Sequence, residues 1–490
     1  MASNYNTVIV GAGPAGLAFA NYSLLANPKQ KIIIIEKDNV IGGCHKVNRI
    51  KYNDENYFCE HGPRIYLNNY VNFIHLLKTM NLNFKNIFTK YNYSLFDISN
   101  KIIFSDNIFT FGEVLYLTRD FLFVLFSNTY GLNISMKTYL ESNNFSKKSI
   151  DYIDGLSRSL DGADNSRMSL NQFFNMTIQG LLYSIYQPKI PNDEGLFNYW
   201  KKYLELNNVK FLTNKLVVDI VDIEDSNKIE KIILDDKTEI KGDNFILAIP
   251  PTNLIKILEN NKNEKIKNSF GNINELKEFT EKTKYNEYIS IALHWDYELN
   301  LDKNIYGFSM KTEWGLIAIN LSEYMKFKES KSKTVISCAI ILPDIKSSYS
   351  NKTANECKTK EELFENVYEQ LRIVYKNIPK PTLYFLNNYY DKNENKWKSG
   401  ESAYIKVPNI NYLNFKNNKY SNLYNLGTHN GNNKNSFTSL ESAVSNSIKL
   451  SNYIYKKNIK IKRCFDIRDL TVVILAIIIL LLLFRYNGNI

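Results

Sequence analysis

The hexapeptide Gly11-Ala12-Gly13-Pro14-Ala15-Gly16 joins "NTVIV" to "PAGLAFANYSLLA". The first stretch reads as a short buried strand and the second as a helix. G-x-G-x-x-G at such a junction admits few folds. Gly11 permits the tight turn. Gly13 lets a pyrophosphate approach the backbone where Pro14 and Ala15 open the helix, and Gly16 lets helix and strand pack closely. "KIIIIE" is a second buried strand, completing a β-α-β unit of about 30 residues. Glu36 ends it, about 20 residues after Gly16, where a carboxylate accepts hydrogen bonds from ribose hydroxyls and disfavours a 2′-phosphate. Lys37 adjoins it, and Gly42-Gly43 offers a second close backbone approach. The expected class is α/β, built on a Rossmann-like dinucleotide-binding domain.

Length and charge bound the rest. At 490 residues the chain exceeds what one core organises. Its net charge of +11 comes from basic residues scattered without a stripe or recognition helix, which argues against nucleic acid as a partner. The five cysteines are irregularly spaced with no C-x-x-C, so neither a disulfide framework nor a metal site is expected, and a reducing compartment fits. The N-terminus enters a strand at once, with no signal-peptide pattern.

Residues 70–200 read as mostly helical. The aromatic-rich stretch 104–126, with "TFGEVLYLTRDFLFVLF", reads as core, or alternatively as the lining of an apolar tunnel. Residues 209–251 read as strands with turns at Asp225–Asn227 and Asp235–Asp236. "YISIALHWDYEL" is a further strand, with His294-Trp295 as pocket lining or core. "SNLYNLG" precedes a helix running from Thr438 to Tyr455. Thr438-Ser-Leu-Glu441 has the form of a capping box for that helix.

Several of these segments together resemble the flavin-containing amine oxidase superfamily, which includes monoamine oxidases, protoporphyrinogen oxidase and phytoene-type desaturases. The segments are "VIVGAGPAGLAFA…IIIIEKDNVIGG", "EHGPRIYLNNYVNFIHLLKTMNL", "PKIPNDEGLFNYWKKYLELNNVKFLTNKLVVDI", "DNFILAIPP" and "SNLYNLGTHNGNNKNSFTSLESAVSNSIKLSNYI". The resemblance implies a GR2-type FAD-binding domain interleaved with an α+β substrate domain. It places Gly62, Pro63 and Arg64 in a turn beside the flavin, Val217 at the adenine through its backbone, and Ala248 close to the cofactor. Gly427, Thr428, Ser439, Leu440 and Glu441 belong to the closing motif, whose helix N-terminus would face the flavin N1–C2=O edge. His61 and Arg64 are the candidate catalytic groups. The sequence departs from the family at Thr428, where Asp is usual, at Asn446-Ser447, where Ser-Gly is usual, and at Cys44-His45, where Arg often follows the glycine pair. Ser290 aligns with the amine oxidase lysine, and Lys284 falls before the strand. No cysteine lies between Cys357 and Cys464, so the thioether seen in monoamine oxidases cannot form and FAD is expected to be non-covalent.

Leu470 to Phe484 is uncharged and spans ~22 Å as a helix, against ~30 Å of hydrocarbon. The basic run "KKNIKIKR" precedes it and Arg485 follows, where its side chain can snorkel. It reads as a single-pass C-terminal membrane anchor with the catalytic part facing the cytosol, and its shortness suits a thin bilayer such as the endoplasmic reticulum.

The expected division assigns 1–75, 205–255 and 401–455 to the FAD-binding domain. It assigns 76–204 to a helical cap, 256–400 to the mixed-sheet substrate domain, 456–469 to a basic linker and 470–486 to the anchor. The functional expectation is hydride transfer from an apolar small molecule, of prenyl/desaturase or protoporphyrinogen type, to FAD at a membrane surface. Alternatives are a peroxide-producing amine oxidase and a non-catalytic or mutase-type flavin protein. The oligomeric state stays open.

Overall fold

The computed structural model describes residues 4–91, 108–301, 307–308, 311–328, 330–400, 402–436 and 438–487. Residues 104–107 of the aromatic stretch and the side chain of Arg485 lie outside the described set.

The chain opens with β1 (Asn4–Val10), α1 (Pro14–Ala26) and β2 (Ile32–Ile35). A hairpin of β3 (Val47–Tyr52) and β4 (Glu55–Glu60), then β5 (Tyr66–Leu67), α2 (Val71–Thr79) and β6 (Phe88–Lys90) follow. Next come α3 (Phe111–Phe126), α4 (Met136–Ser142), α5 (Lys147–Asp161) and α6 (Leu170–Gly180), with β7 (Ile185–Pro188) and α7 (Leu196–Leu206) after them. Strands β8 (Lys210–Leu212), β9 (Val217–Asp222), β10 (Ile229–Leu234) and β11 (Glu239–Leu247) precede α8 (Pro251–Asn260) and α9 (Ile273–Thr283).

These strands, with a late one, make the main sheet in the order β8-β2-β1-β11-β10-β9. Four consecutive isoleucines in β2 are all buried because β2 lies in the parallel part of a mixed sheet, covered on both faces. The pleat sends Ile9, Ile32, Ile34 and Ile246 into one core and Val8, Val10, Ile33, Ile35 and Leu247 into another. The expected turns are present: Asp225 lies between β9 and β10 at φ +53°, and Lys237 between β10 and β11 at φ +67°.

A second sheet is wholly antiparallel, in the order β13-β14-β15-β12-β16. Its strands are β12 (Ile289–Trp295), β13 (Gly307–Phe308), β14 (Leu316–Asn320), β15 (Thr334–Ile340) and, after α10 (Lys360–Val374), β16 (Leu383–Leu386). Ile289, Ile291, Leu293 and Trp295 face α10, whereas Val335 and Ile317 pack with Val47 and Phe58 of the β3–β4 hairpin. A small hairpin, β17 (Tyr389–Asp391) and β18 (Lys396–Lys398), leads to β19 (Leu423–Asn425), which joins the main sheet parallel to the end of β11. Then come α11 (Leu440–Tyr455) and α12 (Ile467–Asn487).

Two readings left open by the sequence are decided. His294 and Trp295 line no pocket: His294 bonds Ser332 Oγ and the Phe58 carbonyl at 2.9 Å each, and Trp295 is fully buried with its indole N–H on the Pro379 carbonyl. The face of α3 carrying Phe111, Leu115 and Phe126 is exposed, so this helix is not simply core. Helix α12 starts three residues earlier than the uncharged run and has 21 residues, but the added ones include Arg468, Asp469 and Arg485, so the apolar span stays at ~22 Å. Its Ile467–Phe484 window has mean hydropathy 2.8 and is 0% buried.

Candidate functional site

The glycine turn forms as its spacing requires. Gly11 adopts φ +102°, and a Cβ there would lie 2.4 Å from the Ala248 carbonyl oxygen. A Cβ on Gly16 would come within 2.1 Å of the Gly11 oxygen and 3.3 Å of Ala248 Cβ. Ala248, the residue after β11, therefore presses directly on the turn. Gly42 and Gly43 both have positive φ, and a Cβ on Gly43 would meet Gly13 Cα at 3.0 Å. The two glycine turns thus face each other without intervening side chains.

Pro14 opens α1 with Gly13 as N-cap, and no side chain caps that end. Ala15 is buried behind it. An uncapped N-terminus with a bare glycine approach is the donor arrangement a phosphate needs. Glu36 is buried and accepts N–H bonds from Ala12 at 2.8 Å and Asp38 at 3.1 Å. Burial raises its carboxyl above the usual range, against those two N–H groups. Lys37 pairs with Asp38 at 2.8 Å and points to solvent. The segment leading to Val217 enters beside Glu36: Lys215 N–H donates to the Glu36 carbonyl and Asn214 N–H to that of Asp38. Val217 itself is buried and paired with Leu234.

At the far end of the sequence, Gly427 follows β19 and Thr428 begins a short 3-10 turn. The departures from the expected motif are built into this corner. Asn446 donates to the Gly427 carbonyl at 2.8 Å and accepts from Asn432 N–H at 2.8 Å. Ser447 Oγ donates to the Ala15 carbonyl at 2.9 Å, tying α11 to the first turn of α1. Ser439, the N-cap of α11, lies about two turns earlier, ~12 Å along the axis.

The capping box is different from the sequence reading. Leu440 is the first residue of α11, and Ser442, not Glu441, returns to the Ser439 N–H, at 3.2 Å. Glu441 turns away and accepts from the N–H groups of Asn72 and Phe73 at 2.9 and 2.8 Å and from Asn72 Nδ2 at 2.6 Å. It caps α2, whose own N-cap, Tyr70, supplies no side-chain capping bond. Burial raises its carboxyl to about 6. Thr438 N–H instead donates to Asp161 at 2.7 Å, fastening the helical layer to this corner.

Between the two sheets lies the turn Gly62-Pro63-Arg64. Ser290 Oγ donates to the His61 carbonyl, so the residue aligned with the amine oxidase lysine does lie against this turn. Lys284 pairs with Glu287 outside the strand. His61 Nδ1 lies 2.8 Å from Ser399 Oγ. Arg64 donates to the Cys44 carbonyl and lies 3.9 Å from Glu60, whose carboxyl burial pushes to about 7. Cys44 is half-buried with its Sγ on the Ser402 carbonyl. Two groups had escaped the sequence reading. Glu60 gives no signal because it ends an ordinary strand. Burial, with Arg64 and His61 nearby, holds His45 well below the usual imidazole range, and its Nδ1 lies 3.3 Å from Tyr66 Oη.

Residues 9–80 match the NAD(P)-binding Rossmann-like domain family. No curated protein matches the sequence. Among solved structures, putrescine oxidase bound to putrescine superposes with TM-score 0.62 at 11% identity, covering 93% of this chain and 100% of its own. Cyclohexylamine oxidase from Brevibacterium oxydans IH-35A gives 0.60 at 11%, covering 93% and 99%. A protein assigned as a protoporphyrinogen oxidase from Exiguobacterium sp. 255-15 gives 0.59 at 14%, covering 94% and 100%. Over nearly its whole length, the chain shares the fold of these oxidases.

Proposed function

We propose that the protein is a FAD-dependent oxidoreductase that holds its cofactor non-covalently and oxidises an apolar small molecule at a membrane surface. The observation that carries this reading is the pair of facing glycine turns, with the uncapped end of α1 beside them and α11 tied to α1 through Ser447 and Ala15. In this reading Gly13, at the uncapped end of α1, offers bare backbone to a pyrophosphate, Gly11, Gly16, Gly42 and Gly43 let the two turns and α1 close on one another, and Glu36 takes the ribose. Val217 takes the adenine edge, and Gly62, Pro63, Ala248, Gly427, Thr428, Ser439 and Leu440 surround the ring. In this reading 1–75, 205–255 and 401–455 form the cofactor domain.

Bound FAD supplies a two-electron acceptor for hydride. The chain's part is to bind, orient and keep out water. His61, held by Ser399, and Arg64, between Glu60 and Cys44, are the polar groups assigned nearest the ring. The structural neighbours include oxidases of putrescine and cyclohexylamine. An amine substrate is nevertheless disfavoured, because Ser290 occupies the lysine position and spends its hydroxyl on the His61 carbonyl. A covalent flavin is disfavoured because Cys357 and Cys464 are both buried in their own packing. The apolar helix α12, preceded by Lys456, Lys457, Lys460, Lys462 and Arg463, holds the body at the cytosolic face of a bilayer.

The test is cofactor extraction from purified full-length protein, followed by a panel of apolar and amine substrates read as bleaching of the flavin band near ~450 nm. Yellow protein bleached by an apolar substrate without peroxide is the expected result. Peroxide release on amines overturns the substrate class, and a colourless protein that takes up no FAD overturns the whole reading.

A further inference from the structure

Helix α3 is inside-out. At 100° per residue, Phe111, Leu115, Leu122 and Phe126 fall within about 60° of one another, and all four are exposed, Phe111 at 79% and Phe126 at 70%. Val114 and Phe123 widen this face. The acidic residues point inward instead. Glu113 accepts from the N–H groups of Thr110 and Ser146 at 2.6 Å each and from Ser149 Oγ at 3.1 Å. Asp120, at 0% exposure, accepts from Tyr139 Oη at 2.8 Å and also from Tyr130 and Arg119. These bonds fix the rotation of α3, so the apolar stripe cannot turn into the core.

What covers the stripe follows from its neighbour. The foot of α12 touches α3: Arg468 Nη2 donates to the Val124 carbonyl at 3.2 Å and also bonds Asn175 of α6. Ile467 packs on the same core as Phe121 and Phe174. Exposed Leu181, Leu182 and Phe465 sit at this foot, where Tyr183 Oη donates to the Phe465 carbonyl at 2.7 Å. Helix α12 thus leaves the body beside the C-terminal turns of α3, with exposed Leu181, Leu182 and Phe465 close by.

We propose that α3 is a second membrane-contacting element, lying in the headgroup region of the bilayer that α12 enters, with Phe111, Leu115, Leu122 and Phe126 toward the acyl chains. This rests on the anchoring assigned to α12 above. Such a helix buries its apolar face ~5–10 Å below the surface.

The test uses full-length protein in vesicles of phosphatidylcholine and phosphatidylserine, with an environment-sensitive fluorophore on Leu115→Cys, Phe126→Cys or, as reference, Ile478→Cys, all in a Cys44→Ser background. The expected result is that nitroxide lipids labelled at a shallow carbon quench the α3 probes, deep-labelled lipids quench the α12 probe, and aqueous iodide reaches neither. If iodide quenches the α3 probes while the α12 probe stays deep, the inference falls and the anchor stands. If the α3 probes are shielded from iodide yet untouched by nitroxide lipids, a protein partner covers the stripe and the inference falls. If the α12 probe itself remains in water, the anchoring reading fails first.

Discussion

Replacing Glu441 with alanine strips three buried donors of their acceptor: the backbone N–H groups of Asn72 and Phe73, and Asn72 Nδ2. A buried donor left unpaired costs ~1–3 kcal/mol, and loss of a helix N-cap ~0.5–2 kcal/mol. Water entering the vacated space recovers part of this, leaving a loss of ~3–5 kcal/mol. Glu441→Gln keeps one acceptor and loses ~1–2 kcal/mol. The carboxyl is raised from 4.5 to about 6 by burial, so the fold disfavours its charged form. Its contribution is therefore fully present below pH 4.5 and is lost as pH rises through about 6. The gap between wild type and Glu441→Gln should narrow by about 2 kcal/mol from pH 4.5 to pH 8. The assay is chemical unfolding followed by circular dichroism at both pH values, on the single variants, on Asn72→Ala and on Thr438→Ala, with both double mutants. Coupling of ~1.5–3 kcal/mol between Glu441 and Asn72, and none between Glu441 and Thr438, is expected. The reverse pattern, or a Glu441→Ala cost below ~1 kcal/mol, would refute the assignment of this carboxylate to α2.

Gly16→Ala puts a methyl 2.1 Å from the Gly11 oxygen, an overlap only backbone movement can relieve; FAD retention on gel filtration should be lost, and retention equal to wild type would remove the site assigned here. Burial lowers His294 to about 4 and His429 to about 3, so their stabilising contribution is fully present above pH 6.5 and is lost as pH falls through those values. For His294 this amounts to about 3 kcal/mol, and acid titration of unfolding should show a correspondingly smaller loss between pH 6.5 and about 4 in His294→Gln. Removing residues 467–490 should release the protein from membranes into the soluble fraction with its flavin band intact; release with loss of the flavin would mean that α12 supports the cofactor domain.

What the sequence made legible was local. The β-α-β unit, the glycine turn and Glu36 lie within a few dozen residues, and their spacing alone dictates how the backbone must run. Glu441 was misread because its partners are 369 residues away, while a short-range box with Thr438 was available on paper. Asn446 and Ser447 looked like losses from a motif, and only the packing of α11 on α1 turns them into ties to Gly427 and Ala15. For α3 the aromatic content reads as core or tunnel lining, but composition does not say which side of a helix is solvent. The buried Glu113 and Asp120 decide that, through hydroxyl and N–H donors on neighbouring segments. His294 failed for a related reason: alternate residues of β12 share a face with Ser290, yet only Ser290 reaches the turn, while His294 is sealed beneath the β3–β4 hairpin.

The same network bears on how the body sits above α12. Asn72, which receives Glu441, also donates to the Lys462 carbonyl at 3.0 Å and accepts from Lys462 N–H at 2.9 Å. Asn452 of α11 and Ile459 exchange a second reciprocal pair, at 2.7 and 2.9 Å. Asp466 then receives Arg463 and Arg468 at the foot of the helix, and Arg468 reaches across to α3 and α6. The basic stretch between α11 and α12 is therefore bonded to the body at each turn and is no loose tether. A flexible linker would let the catalytic body sample every tilt over a bilayer; one pinned at Asn72, Asn452 and Asp466 allows few. On the function proposed above, an apolar substrate partitioned into that bilayer would meet the protein through the same face, where α3, Leu181, Leu182 and Phe465 stand. Cutting the Asn72 and Asn452 contacts with Asn72→Ala and Asn452→Ala should leave α12 inserted while the α3 probes become accessible to iodide. Unchanged shielding in that double variant would show that the stripe on α3, and not the linker, sets the tilt.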